Sequence, residues 1–258
     1  MRHRGLPLAV LAHWALLACA SGTCGAAAAT NANTAAATNA TADSRATADT
    51  GGTALDRYLD GLTSLRTAFT QTVTDAHGTQ TEAGAGTMLV QRPGRFRWDF
   101  QPRADSAMAP LPPQWPAATG ADSVRGQLLV ADGKNLWFYD RELSQVSVKP
   151  VAAALSATPV TLLSGSAEQL HQSFDIAGAG SHDGLEWVSV KPRSAEADFN
   201  HAELGFDRER LVRMLVVDRL GQTVRLDFSR SERNARVNPS ELQFTPPAGV
   251  DVIGTPVS

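Results

Sequence analysis

The sequence predicts a domain of the α+β class that is mainly β and is built on an antiparallel sheet. Apolar and polar residues alternate at 95–100 and again at 223–228, which is typical of strands with one buried and one solvent-exposed face. Other short apolar runs follow at close spacing, separated by turn-forming residues. Helical patterns do not alternate with these runs, as a parallel sheet would require, so we expect an antiparallel meander.

The chain of 258 residues begins with a predicted signal peptide at residues 1–20. Arg2 and Arg4 precede the apolar run 6–17, and Ala18-Cys19-Ala20 supplies the small residues of a cleavage site. The apolar run is too short for a membrane-spanning helix, which needs about 20 apolar residues. We therefore expect the processed chain to be exported and soluble.

Cys19 leaves a second interpretation open. The sequence Leu16-Leu17-Ala18-Cys19 resembles a lipobox, in which a lipid-modified cysteine becomes the first mature residue and tethers the protein to a membrane. Cys24 is the only other cysteine, so we expect no disulfide to hold the fold.

Residues 21–53 are predicted to form a disordered leader before a single domain at 54–258. Ala, Thr and Asn dominate the leader, which has no aromatic or large aliphatic side chain and so buries too little surface to offset the entropy of ordering. The roughly two hundred residues that follow are enough for one β domain with a sizeable core.

Two segments of the domain carry a helical pattern. From 54 to 73 the apolar residues recur at spacings of three and four, which predicts an amphipathic helix with Thr53 as its cap. A second helix is predicted to start near Thr158-Pro159, because proline is favoured at a first helical position and an apolar run follows it.

The remaining apolar runs predict strands. They lie at 87–91, 127–131, 136–140, 145–149, 185–192, 202–207, 211–218 and 241–245. Turns are predicted between them at Pro93-Gly94, Asp132-Gly133, Asp183-Gly184 and 207–210.

The sequence shows no catalytic equipment. No two of its six histidines have a spacing that suits a metal site, and neither a nucleophile elbow nor a phosphate-binding loop appears. Asp132 and Asp140 are interpreted as turn residues rather than catalytic carboxylates. A net charge of −3 gives no support to a nucleic-acid partner. We expect no metal site, and the residues alone give no positive support to an enzyme or to a cofactor.

Two segments resemble the LolA family of periplasmic carriers for outer-membrane lipoproteins. They are Arg92-Pro93-Gly94-Arg95-Phe96-Arg97-Trp98 and Asp132-Gly133-Lys134-Asn135-Leu136-Trp137-Phe138-Tyr139-Asp140. Shorter matches follow in the family's order from about Leu55 to Val252: Phe69-Thr70-Gln71, Gln145-Val146, Thr158-Pro159, Asp218 with Gly221-Gln222, and Phe244 to Val250.

The resemblance implies an unclosed antiparallel β-barrel, or half-barrel, around a hydrophobic cavity that a lid of short helices covers. It also implies a periplasmic monomer that accepts acylated lipoproteins from an inner-membrane ABC transporter. Such a protein shields the acyl chains and delivers its cargo to an outer-membrane acceptor, without catalysis or a cofactor.

The resemblance also assigns roles to individual residues. Arg92 resembles the arginine that closes the lid, whereas the residues alone favour an exposed arginine at a strand end. Leu59, Phe96, Trp98, Leu163 and Met214 match positions that line the lipid-binding cavity or contact the lid; ordinary core packing is the alternative for each of them.

The sequence departs from the family at one long connection, and two other functions remain as alternatives. The Pro- and Ala-rich stretch 103–126 is predicted to be a loop insertion. If Cys19 is lipidated, the same fold serves a membrane-tethered lipoprotein acceptor or a lipid sensor. The second alternative is a hydrolase that acts on the cell envelope.

Overall fold

The computed structural model describes residues 52–103, 125–151, 160–195 and 197–257. The predicted signal peptide, Cys19, nearly all of the leader, the middle of the 103–126 stretch and Thr158-Pro159 lie outside these residues.

Twelve strands account for most of the described chain. They are β1 Ser64–Thr74, β2 Gln80–Gln91, β3 Arg95–Pro102, β4 Gln127–Ala131, β5 Asn135–Asp140, β6 Gln145–Pro150, β7 Phe174–His182, β8 Leu185–Pro192, β9 Phe199–Asp207, β10 Arg210–Asp218, β11 Thr223–Arg233 and β12 Asp251–Ile253.

All twelve strands belong to one sheet, with the order β12-β6-β5-β4-β3-β2-β1-β11-β10-β9-β8-β7. Neighbours pair antiparallel except β12, which runs parallel to β6. The two ends of the order, β12 and β7, do not pair with each other, so the described strands form an open sheet. The predicted mainly β, unclosed antiparallel architecture is confirmed.

Among the described residues, the sheet is accompanied by the short helices α1 Ala54–Leu59, α2 Thr161–Ser164 and α3 Ala167–Ser173. Thr53 caps α1 as predicted, and Asp56 completes a reciprocal capping box with it. Ser166 and Gln169 form the same kind of box at the start of α3. These caps satisfy backbone N–H groups that would otherwise lack partners at each helix start.

The helices lie over one face of the sheet, which we call the inner face. α1 contacts β8, and α2 contacts β2. A single apolar cluster contains side chains of α1, α2 and α3 together with the inward residues of the strands; its largest fully buried members are Phe69, Phe96, Phe100, Phe206, Leu55, Leu65, Met88, Leu162, Leu163, Leu204 and Met214.

The opposite, outer face carries a second and smaller apolar cluster on β4, β5 and β6. Its buried members are Leu128, Val130, Trp137, Val146 and Val148. Phe244 and Val250 from the C-terminal segment pack against it, and the Phe244 ring lies 5.7 Å from that of Trp137. The C-terminal segment therefore covers the outer face while the helices cover the inner one.

The prediction of one helix over 54–73 is wrong beyond Leu59. Gly61 has φ +64°, a conformation that ends a helix easily, and β1 begins at Ser64. Residues 64–74 are rich in threonine, and their alternate positions Leu65, Phe69 and Val73 face the core. The turn after β1 joins two strands of a hairpin rather than a helix and a strand.

The predicted strand at 241–245 is also wrong. Pro239–Leu242 form a 3-10 helix capped by Asn238, and the chain then runs on without regular structure until Asp251. This segment buries Leu242 and partly buries Phe244 by lying across the sheet, so its apolar residues reflect packing and not strand pairing.

Candidate lid and apolar sheet face

Arg92 lies in the turn between β2 and β3 and joins that turn to two helices. Its Nη1 donates hydrogen bonds to the carbonyl oxygens of Leu59, at 2.7 Å, and Leu62, at 3.3 Å. Its Nε and Nη2 donate to the Gly165 carbonyl oxygen at 3.0 and 2.8 Å. The backbone N–H of Gly94 adds a bond of 2.8 Å to the Ser164 carbonyl.

Two of these acceptors are carbonyls at helix ends. Leu59 is the last residue of α1, and Gly165 is the C-cap of α2. Such carbonyls have no partner within their own helix, and a cation nearby also interacts favourably with the helix dipole. Burial lowers the pKa of Arg92 from its usual value, yet an arginine stays charged at any physiological pH. One half-buried guanidinium thus fastens both helices to the β2–β3 turn.

A second arginine holds α1 from the end of β11. Arg233 donates to the carbonyl oxygens of Tyr58, at 2.8 Å, and Asp60, at 3.2 Å, and its guanidinium lies 4.9 Å from the centre of the Tyr58 ring. Asn234, the next residue, bonds to Gly61 and Thr63. Neither residue was predicted from the sequence, because nothing local distinguishes them from other polar residues at a strand end.

A hydrogen bond between side chains links the first and third helices. His171 Nε2 on α3 lies 2.8 Å from Asp56 Oδ1 on α1. Burial raises the pKa of Asp56, but the hydrogen bonds from Thr53 and His171 outweigh it, so the pKa is lowered overall. The same carboxylate therefore caps α1 and contacts α3, a connection that the sequence analysis did not anticipate.

The five apolar residues named from the sequence meet in one cluster. Leu59 on α1 and Leu163 on α2 come from the helices, whereas Phe96 and Trp98 on β3 and Met214 on β10 come from the sheet. All five are at most 9% exposed. Leu59 and Leu163 thus place side chains of the helices in the same buried cluster as Phe96, Trp98 and Met214 of the sheet.

The centre of the inner face is a platform of three aromatic rings on β1 and β3. Phe69 lies 4.2 Å from Trp98 and 6.5 Å from Phe100, measured between ring centres. β2 runs between these strands and has glycine where the rings cross it. A Cβ on Gly86 would lie 2.6 Å from Phe69 Cζ, and one on Gly84 would lie 2.4 Å from the Phe100 ring. The glycines leave room for the platform.

The two carboxylates interpreted as turn residues bond within their own turns. Asp132 accepts hydrogen bonds from Lys134 N, Asn135 N and Trp137 Nε1, and Asp140 accepts from Glu142 N and Leu143 N. Among the described residues, no group of three or more His, Cys, Asp or Glu is placed to hold a metal ion.

The helices of the described part of the chain are all too short or too polar to cross a membrane.

The sequence is similar to those of named carrier proteins. It is 33% identical over 200 residues to an outer-membrane lipoprotein carrier protein of Dechloromonas aromatica, a match that covers 78% of this chain and 86% of the relative. It is 36% identical over 188 residues to the protein of the same name from Methylibium petroleiphilum, with 73% and 81% of the two chains covered.

A solved structure and a family description complete the comparison. A LolA superfamily protein from Nitrosomonas europaea aligns with 74% of this chain and 96% of its own, with a TM-score of 0.39 and 11% identity. The family described as "Outer membrane lipoprotein carrier protein LolA" matches residues 60–108 and 121–245. On the strength of these sequence matches, the chain belongs to the LolA family of outer-membrane lipoprotein carrier proteins.

Proposed function

We propose that this protein is a periplasmic carrier that binds the acyl chains of lipoproteins against the inner face of its sheet. The chain takes its cargo from an inner-membrane ABC transporter and gives it to an outer-membrane acceptor. It performs no catalysis and needs no cofactor. One observation carries the proposal: a single guanidinium, that of Arg92, fastens two helices over a sheet face whose buried side chains are almost all apolar.

The energetics of acyl chains explain why such a face needs a cover. Burial of one methylene is worth about 0.8 kcal/mol, so one long chain amounts to on the order of 10 kcal/mol and does not cross water unaided at a useful rate. Shielding must therefore be nearly complete. Binding that strong also opposes delivery, unless the empty protein gains free energy when its cover closes again.

The contacts of Arg92 supply this gain. When the helices α1 and α2 close over the inner face, Arg92 satisfies three backbone carbonyls, and Leu59 and Leu163 pack against the sheet. When cargo is bound, acyl chains replace the helix side chains on the sheet and these hydrogen bonds break. Closing thus offsets part of the free energy that is lost when cargo leaves, and Arg92 acts as the closing residue of the lid.

The flexible side chain of Met214 suits a site that binds acyl chains. An unbranched thioether adapts its shape to different neighbours more easily than a ring does. Met214 is buried on β10, on the same face as Leu226 of β11, in the cluster that also contains side chains of the helices. It therefore repacks around chains of different length and branching.

The proposal is tested by a release experiment. Spheroplasts loaded with radiolabelled lipoprotein are incubated with the purified protein and ATP, and the supernatant is separated by size. We expect a soluble complex of one carrier and one intact lipoprotein. A lipoprotein that stays in the membrane, or one that appears in the supernatant with its acyl chains hydrolysed, would contradict the proposal, and hydrolysis would favour the envelope hydrolase.

The tethered acceptor is distinguished by the mature N-terminus. A carrier processed at the predicted site starts at Ser21, whereas a membrane-tethered acceptor or lipid sensor starts at an acylated Cys19. Mass spectrometry of the protein purified from its own cell envelope separates the two, because two or three acyl chains add several hundred daltons to the N-terminal peptide. We expect an unmodified Ser21.

A further inference from the structure

Three polar atoms on the inner face lie buried without a hydrogen-bond partner in the part of the chain that the structure describes. They are Trp98 Nε1, Gln71 Oε1 and Gln127 Oε1. The three residues are 9%, 2% and 6% exposed. By contrast, Trp137 on the outer face donates its indole N–H to Asp132 Oδ2 at 2.8 Å.

All three side chains point to the side of the sheet that the helices cover. Side chains two apart on a strand share a face, so Gln71 faces the same way as Phe69 and Val73, which belong to the inner cluster. Gln127 is paired with Phe100 across β3 and β4, and residues directly opposite each other also share a face. Trp98 itself belongs to the inner cluster. Gln71 and Gln127 thus lie on strands to either side of the β3 strand that carries Trp98.

A buried donor or acceptor without a hydrogen-bond partner destabilises the folded protein. A buried polar group without a partner loses roughly 1–3 kcal/mol relative to one that is hydrogen-bonded, and most buried groups in folded proteins do have partners. A ligand that supplies the missing partners recovers this free energy on binding. A purely aliphatic ligand does not.

The linkages of an acylated lipoprotein have the complementary chemistry. Its acyl chains join the N-terminal residue through ester groups, whose carbonyl oxygens accept hydrogen bonds, and through an amide, whose N–H donates one. We propose that Trp98 Nε1 donates to an ester carbonyl of the cargo, while Gln127, on the neighbouring strand β4, accepts from its amide N–H. We call these hydrogen bonds the polar anchor. It rests on the proposed function and makes the carrier specific for ester- and amide-linked chains over plain hydrocarbon.

The test compares two synthetic lipopeptides that differ only in their linkage. Both carry a cysteine with two sixteen-carbon chains on a glyceryl group, attached by ester bonds in one and by ether bonds in the other. Binding to the full-length mature protein is measured by calorimetry. We expect the wild type to prefer the diester about fivefold, which is the effect of one hydrogen bond of ordinary strength.

Trp98→Phe removes the N–H and keeps an aromatic ring, so we expect this variant to bind both lipopeptides equally well. Trp137→Phe is the matched control, because it makes the same change on the outer face, and we expect it to keep the fivefold preference. If Trp98→Phe does not fold, the wild-type indole resonances are compared instead. The Trp98 N–H signal should then shift downfield with the diester and not with the diether.

The outcomes separate the anchor from the carrier function. Equal and tight binding of both lipopeptides by the wild type would overturn the anchor and leave the carrier function intact. A Trp98→Phe variant that weakens both equally but keeps the preference would also overturn the anchor, since Trp98 would then act by packing alone. Failure of the wild type to bind either lipopeptide would contradict the carrier function itself.

Discussion

At the scale of single residues, Arg92 makes more hydrogen bonds to the protein than an arginine at a strand end usually does. An exposed arginine in such a place is hydrated and contributes little to stability. Arg92 instead donates four hydrogen bonds to three carbonyls on two different segments. The residue alone did not reveal this, because its acceptors lie about 30 and 73 positions away in sequence. The family resemblance was the only signal that pointed to it.

Replacing Arg92 with leucine should leave the protein folded and make it hold cargo more tightly. The variant loses the hydrogen bonds that stabilise the closed empty state. Their net contribution is about 1.4 kcal/mol together, because the same groups bond to water when the lid is open, so affinity for a lipopeptide should rise about tenfold. Onward transfer to an acceptor should fall accordingly. Transfer is measured with purified cargo complexes, and Arg95→Leu, an exposed arginine on β3, is the control. Normal transfer by Arg92→Leu would remove the proposed lid role.

Tyr58 should make the stability of the protein depend on pH at the alkaline end. Burial raises the pKa of Tyr58 to about 12, although Arg233 nearby lowers it somewhat. The unfolded chain ionises near pH 10, so the contribution is complete below pH 10 and is lost as pH rises towards about 12. We expect the free energy of unfolding to fall across this interval, and Tyr58→Phe to reduce that fall. Tyr139→Phe, which leaves Tyr58 in place, should retain it.

At the scale of elements, the sequence predicts strands well where one face is strongly apolar. β3, β8 and β10 have such faces, and their positions are confirmed. β7 was not predicted, because its Gly-, Ala- and Ser-rich sequence buries little more than Phe174. The β1 segment was predicted as helix because the spacing of its apolar residues fits the periodicity of a helix as well as that of a strand. Gly61 and the many threonines decide between the two, together with pairing to β2 and β11 that no local pattern contains.

β2 provides a sharp test of the aromatic platform. A Cβ on Gly86 would lie 2.1 Å from the Asp99 carbonyl oxygen and 2.6 Å from Phe69 Cζ, so the backbone of β3 would have to move. We expect Gly86→Ala to lower the free energy of unfolding by about 3 kcal/mol or more. Gly178→Ala on β7 is the matched control, because a Cβ there meets nothing within 4 Å. Urea denaturation measures both, and equal stabilities would show that the platform tolerates a shift of β2.

At the scale of the whole molecule, the sheet is covered differently on its two faces. The outer cluster is covered by the C-terminal segment, which continues the chain and pairs with β6 through β12. The inner cluster is covered by short helices of six, four and seven residues. Side chains of the β2–β3 turn and of β11 hold the ends of the first two helices, and the third is bonded to the first. Helices this short have little stability of their own, so their position depends on these contacts. We therefore propose that the inner cover is the one that opens.

The overall architecture was within reach of the sequence, because alternation and turn residues are local signals. The roles of the apolar site residues came from the family resemblance and stay predictions. The side-chain contacts that hold the helices in place could not be predicted from the sequence. Arg233 with Tyr58 and His171 with Asp56 join residues more than one hundred positions apart, and each is an ordinary polar residue in its own segment. Only the folded chain brings these partners together.

The most direct test of the account measures hydrogen exchange at the Gly94 amide. This N–H bonds to the Ser164 carbonyl at 2.8 Å, across the junction between the β2–β3 turn and α2, so its protection reports whether α2 is docked. The amide of Asp218, which bonds to Gln222 within the β10–β11 turn, serves as the reference. We expect Gly94 to be protected in the empty protein and to exchange faster once a diacylated lipopeptide is bound, while Asp218 stays unchanged. Undiminished protection of Gly94 in a protein saturated with lipopeptide would contradict the claim that acyl chains bind beneath an opening lid.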